Sequence, residues 1–96
     1  MIFFKIFKVE GTSMHPTIYN RNKILVSYIP YLFKNPKIND IIVAKHPYKN
    51  IYIVKRITKI EKGGYFIEGD YILSSDSKEF NMIPKKLILA KLLFIF

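Results

Sequence analysis

The segment Ile51 to Ile60 is built wholly of β-branched, aromatic and long basic residues, and it runs through Gly63-Gly64 into Tyr65 to Glu68. That pattern is a strand, a glycine turn and a returning strand, because branched and aromatic side chains suit a pleated surface and glycine supplies the tight reversal. A hairpin of this kind must bury one face against further strands, so it commits the chain to a mainly β fold. The rest of the sequence provides those strands.

Residues 2–10 alternate, with Phe3, Lys5, Phe7 and Val9 on one face and Ile2, Phe4, Ile6 and Lys8 on the other, the pattern of a strand near a sheet edge. The chain turns at Gly11. Met14 to Thr17 begins a short helical turn that Pro16 and the Asn20-Arg21-Asn22 cluster cut short. Lys23 to Ile29 reads as a second strand and Asp40 to Lys45 as a third, ended by His46-Pro47. Between them Pro30 to Asn39 reads as a loop, with Tyr31, Leu32 and Phe33 packing into the core or forming an apolar lip. Gly69-Asp70 opens a polar loop through Ser74-Ser75-Asp76-Ser77-Lys78, and Leu87 to Phe96 closes the fold as a last strand. The expectation is a small β fold with one or two helical turns and a single domain over residues 1–96.

The chain has no cysteine, which excludes disulfides and thiolate metal sites, and its two histidines, His15 and His46, lie far apart in sequence. No metal or cofactor is expected. Sixteen Lys and Arg against seven Asp and Glu give a formal charge of +9, scattered rather than in blocks. No apolar run approaches the ~18–20 residues that cross a bilayer. Either apolar end, Met1 to Val9 or Leu87 to Phe96, can rest on a membrane surface, so a cytoplasmic or peripherally membrane-associated protein is expected.

One residue disturbs the hairpin. Side chains alternate across a strand, so Lys55 shares a face with Ile53 and Ile57, while Arg56 points the other way with Val54 and Thr58. Burial disfavours the ammonium form of an amine, and a neutral amine can take a proton from a serine. The alternative is a lysine that snorkels to the sheet rim. Ser13, in Gly11-Thr12-Ser13-Met14-His15-Pro16-Thr17, is the candidate nucleophile, since a serine attacks only when a neighbouring base removes its proton. The Ser13 N–H, with the Thr12 hydroxyl, can stabilise an oxyanion, and Gly11 lets a substrate carbonyl approach closely.

Taken together, Gly11 to Thr17, the Lys55-Arg56 pair on a strand, and Gly69-Asp70 followed by Ser74 to Lys78 resemble the signal peptidase I family of Ser/Lys endopeptidases. The resemblance runs from about Val9 to the C-terminus. It implies a signal-peptidase or LexA-like β fold and a serine endopeptidase that removes an N-terminal signal or pro-sequence from a protein substrate. Ser13 is then the nucleophile and Lys55 the base. Ser74 holds the lysine amine, Asp76 and Ser77 structure their loop, and Arg56 supports the site. Gly11, Thr12, Met14 and Pro16 form the oxyanion or substrate-positioning segment. The stretch between Arg56 and Gly69 holds a hairpin and no second β domain.

Within the family, the compact size and the string Ile42 to Pro47 ahead of Val54-Lys55-Arg56 look most like the nickel-type superoxide dismutase maturation proteases. General signal peptidases and the mitochondrial inner-membrane processing peptidases share the core motifs. Asn39-Asp40 stands where Gly-Asp is usual, Tyr71 where Asn is frequent, and Lys78 in place of Arg. The resemblance favours protein substrates and no nucleic acid. The competing readings are a Ser-His-Asp hydrolase through His15 or His46, a self-cleaving repressor, which this chain's lack of an Ala-Gly bond opposes, and a basic aromatic module binding single-stranded nucleic acid.

Overall fold

The computed structural model describes residues 3–71 and 82–96. The strands are β1 (Phe4–Lys8), β2 (Lys23–Ser27), β3 (Ile41–Lys45), β4 (Tyr52–Glu61), β5 (Gly64–Glu68) and β6 (Ile88–Ile95). A one-turn helix, α1 (Pro30–Phe33), precedes β3, and a 3-10 turn at Lys85–Leu87 leads into β6. The six strands form one sheet in the order β1-β2-β6-β3-β4-β5, every neighbour antiparallel. The fold is mainly β, as the alternation predicts. Among the described residues, no helix is long and apolar enough to cross a membrane.

The sheet buries apolar residues on both faces. On β3 the unbroken apolar run Ile41 to Ala44 is the signature of a strand covered on both sides. Ile42 and Ala44 pack with Ile57, Ile67, Ile83 and Ile88, whereas Val43 packs with Val9, Met14, Ile18, Ile24, Val26 and Ala90. The second cluster pins the segment between β1 and β2 onto the sheet. Register shifts at Leu25/Val26, Val43/Ala44 and Ile57/Lys59 mark bulges, which bend strands and increase their twist. The curl brings the edge strand β1 round toward β4, with the Phe7 and Tyr52 rings 6.1 Å apart.

Local chemistry sets the element ends. Gly63 takes φ +93°, open to glycine at little cost, and turns β4 into β5. β2 stops at Ser27, short of Ile29, because the Ser27 hydroxyl accepts the Ile29 N–H at 3.2 Å and replaces a ladder bond. Pro30 to Asn39 is not all loop, since Pro30 opens α1, where its missing N–H costs nothing. One turn can aim only part of itself at the sheet. Tyr31 packs on the core and donates its hydroxyl to Asp40 at 2.7 Å, while Leu32 and Phe33 are 58% and 81% exposed rather than core. Burial, with Asp40 alongside, raises the Tyr31 pKa above the ordinary tyrosine value.

The packing carries a testable contrast along β4. Ile57 is fully buried and Ile60 is 41% exposed. Ile57→Ala is expected to lower unfolding free energy by about 2–5 kcal/mol. Ile60→Ala should stay within about 0.5 kcal/mol of the parent beyond its small propensity loss, read by urea denaturation.

Candidate active site

β4 carries the two residues that the site is built on. Lys55 pairs across the ladder with Ile42 and is 7% exposed, so the strand holds its side chain inside the apolar face. β5 pairs with β4 only from Arg56 onward, which leaves Tyr52 to Lys55 with an open edge on that side among the described residues. Ser13 comes to that edge. Lys55 Nζ donates to Ser13 Oγ at 3.0 Å, joining positions 42 residues apart in sequence.

The turn bearing Ser13 is closed at its base by two backbone bonds, Val9 N–H to Asn22 O at 2.8 Å and Arg21 N–H to Val9 O at 2.7 Å. Met14 and Ile18, 1% and 0% exposed, anchor it to the core, and the Ile18 N–H donates to Met14 O at 2.9 Å. The segment is a hydrogen-bonded turn and not the helical turn anticipated from Met14: among the described residues no helix precedes α1, and Pro16 brings no N–H to a helical ladder. Gly11 adopts φ +92°, where a side chain would be strained, and its N–H donates to Asn20 Oδ1 at 2.9 Å. Anchors on both sides of Ser13 leave its hydroxyl facing Lys55.

Arg56, on the opposite face from Lys55, clasps the surrounding segments. Its Nε donates to Asp70 Oδ1 and its Nη2 to Asp70 Oδ2, each at 2.8 Å, a planar fork meeting a carboxylate. Asp70 Oδ2 also accepts the Thr17 hydroxyl at 2.6 Å, and Arg56 Nη1 donates to Asn39 O at 3.0 Å. The Tyr71 N–H completes the clasp by donating to the Ser13 carbonyl at 2.9 Å. Asp70's hydrogen bonds to Arg56 raise the Arg56 pKa. Chiefly through Arg56, and with help from Thr17 against the cost of burial, the Asp70 carboxyl is held below its usual range.

Beside these groups lies a cleft of about 340 Å³ lined by Phe7 to Glu10, Ser13, Val43 and Ile51 to Lys55. Its two strand segments are the outer edge of β1 and the half of β4 that, among the described residues, pairs with β3 on one edge and with no strand on the other. Unpaired edges present backbone N–H and C=O groups, so the cleft can accept an extended chain as an added strand.

Ser13 and Lys55 meet, Arg56 leaves the opposite face of β4 for Asp70, and Gly11 and Thr12 immediately precede Ser13, although the Gly11 N–H is engaged by Asn20. Met14 is a core anchor and Pro16 is exposed. Ser74, Asp76 and Ser77 lie outside the described residues. The histidines have other work: His46 Nδ1 accepts the Tyr48 and Lys49 N–H groups at 3.0 and 3.1 Å, and His15 Nε2 accepts the Asn20 N–H at 3.2 Å. Sequence reasoning did not anticipate the part of Thr17, Asp70 or Tyr71. Thr17 and Asp70 stand inside the quoted motifs, but nothing in a linear string shows that they touch.

The family model described as Signal peptidase, peptidase S26, matches residues 1–60, more than half of the 96. No curated protein matches the chain.

The clasp predicts a pH signature. A carboxylate whose folded pKa is depressed stabilises the fold fully above its unfolded value, about 3.9, and that contribution is lost as pH falls through the lower folded value. Asp70→Asn should therefore flatten the acid limb of stability measured by urea unfolding between about pH 2 and 5. At neutral pH it should cost about 1.5–3 kcal/mol, the range for hydrogen bonds to charged groups.

Proposed function

Because the chain belongs to the signal peptidase family, peptidase S26, we propose that it is a serine endopeptidase with Ser13 as nucleophile and Lys55 as base. The observation that carries this is the 3.0 Å contact between Lys55 Nζ and Ser13 Oγ at a lysine 7% exposed. As Ser13 Oγ attacks a scissile carbonyl, Lys55 Nζ takes its proton and the carbonyl oxygen gains the negative charge. The Ser13 N–H and the Thr12 hydroxyl would stabilise that oxyanion. Collapse breaks the C–N bond as Lys55 gives the proton to the leaving amine; water, deprotonated by Lys55, then attacks the acyl carbon, the C–O bond to Ser13 breaks, and Lys55 returns that proton to Ser13 Oγ. Arg56 holds the site's segments together and touches no reacting atom.

The substrate would lie as an added strand between β1 and β4, its backbone paired to their open edges and its side chains against Phe7, Ile53 and Val54. The resemblance around Ile42 to Pro47 favours an N-terminal extension such as that of nickel superoxide dismutase, with a general signal or organelle pro-sequence as the second reading. Mass spectrometry of cleavage products from both kinds of precursor peptide tests this. Ser13→Ala and Lys55→Ala should each lower the rate by about a thousandfold or more. Lys55→Arg, permanently protonated, should be as inactive, and normal cutting by either Lys55 variant would remove it as the base.

The same reading includes contact with an anionic bilayer. Phe4, Ile6 and Lys8 on β1 face the same way as Lys23 and Leu25 on β2 and Phe94 on β6, because they are ladder partners or alternate neighbours. Phe4, Ile6 and Phe94 are 52%, 55% and 59% exposed. Lys8 and Lys23 are directly paired, a like-charge arrangement that is unfavourable unless an anion lies between them. An apolar face edged by two lysines matches acyl chains beneath anionic headgroups. Lys8→Ala with Lys23→Ala should weaken binding to phosphatidylserine vesicles by roughly thirtyfold at about 1 kcal/mol per lysine. Equal binding to neutral vesicles would remove the electrostatic part of the proposal.

A further inference from the structure

His15 lies two residues past Ser13, and its contacts converge on the turn that carries the serine. Its backbone N–H donates to Thr12 O at 3.0 Å. Its Nε2 accepts the Asn20 N–H at 3.2 Å, and Asn20 Oδ1 accepts the Gly11 N–H at 2.9 Å. The ring stands edge-on to Tyr19 and Tyr71, with centroids 4.8 and 6.2 Å away, and the Tyr71 N–H holds the Ser13 carbonyl at 2.9 Å. The imidazole thus touches, directly or through one residue, the anchors before, at and after the serine.

On the reading of Ser13 as nucleophile, we propose that His15 is a positioning residue: its neutral imidazole holds Asn20 in place, and the Asn20 carboxamide thereby fixes Gly11 and the turn that aims Ser13. Because Nε2 accepts a hydrogen bond, the ring proton resides on Nδ1. Gly11 needs such a tether, since a glycine at φ +92° has many other conformations within reach. A second proton would turn Nε2 from acceptor to donor against the Asn20 N–H and break the relay. The titratable neighbours in contact with the ring are Tyr19 and Tyr71. The segments bearing them and Asn20 also bring Arg21 and Asp70, the latter engaged by Arg56 and Thr17. A turn with no role in catalysis would show Gly11 depending on the His15 ring while kcat stayed unchanged.

The test uses the full chain, its Gly11 amide followed by nuclear magnetic resonance and its kinetics by peptide cleavage. In His15→Ala, hydrogen exchange at Gly11 should quicken by roughly threefold to tenfold, the effect of one lost hydrogen bond, and kcat should fall by a similar factor with KM held within about twofold. His15→Gln offers an amide oxygen to the Asn20 N–H and should recover both values. Asn20→Ala should match His15→Ala, and the double variant should be no worse than either, as residues in one relay are not additive. Gly11 exchange indifferent to His15, or exchange altered with kcat intact, would overturn the proposal. If no form of the chain cuts any peptide, the protease reading fails, whereas Gly11 exchange still decides whether His15 holds the turn.

Discussion

The bidentate pair between Arg56 and Asp70 is the interaction on which the arrangement of the site depends. Through it β4, the segment after β5, the turn bearing Thr17 and the carbonyl of Asn39 ahead of β3 become one unit. None of these segments is adjacent in sequence, and each brings its own conformational entropy to be restrained. A planar guanidinium suits this work because its donors are set in a fixed fork, so a single side chain can hold a carboxylate and a backbone carbonyl at once. Without the clasp, the sheet still has its two apolar clusters, but the approach of the serine turn to β4 would lose its strongest polar tie.

Strand geometry explains why the residue beside Arg56 can do something different. Consecutive side chains leave β4 on opposite faces, so Arg56 meets the polar clasp while Lys55 enters the apolar face among Ile42, Ile53 and Ile57. The unequal lengths of β4 and β5 then matter. Among the described residues β5 covers the strand only from Arg56 onward, so Lys55 stands where pairing on both edges gives way to pairing with β3 alone, buried yet beside an open edge. A buried amine, a serine hydroxyl 3.0 Å away and a cleft between two strand edges are what the proposed acyl transfer from an extended peptide to Ser13 would use.

The two sides of β1 divide the remaining work. Phe7 turns inward to the cleft, whereas Phe4 and Ile6 turn outward to an exposed face shared with Leu25 and Phe94. One short edge strand therefore links the proposed substrate groove to the proposed bilayer surface. The sheet's bulges make that possible, since curling is what brings β1 opposite β4 instead of leaving it at the far end of a flat sheet.

The linear string determined the strands, because alternation, branched side chains and glycine turns act over a few residues: the hairpin at Gly63, the apolar run of β3 and the misfit of Lys55 between isoleucines were all legible. It also carried the family motifs, so Ser13 and the Lys55-Arg56 pair stood out before any contact was known. It did not reveal the helix at Pro30 or the exposure of Leu32 and Phe33, because which face of one turn meets the sheet depends on packing from elsewhere. Nor could it show that Thr17 and Asp70 share a hydrogen bond, that Tyr71 holds Ser13, or that His15 reaches Gly11 through Asn20. Those contacts join residues whose approach is set by strand order and curl. Residue types and local periodicity were the sequence's to decide; which side chains meet across the sheet belonged to tertiary structure, because only closure of the long loops between strands brings them within hydrogen-bonding range.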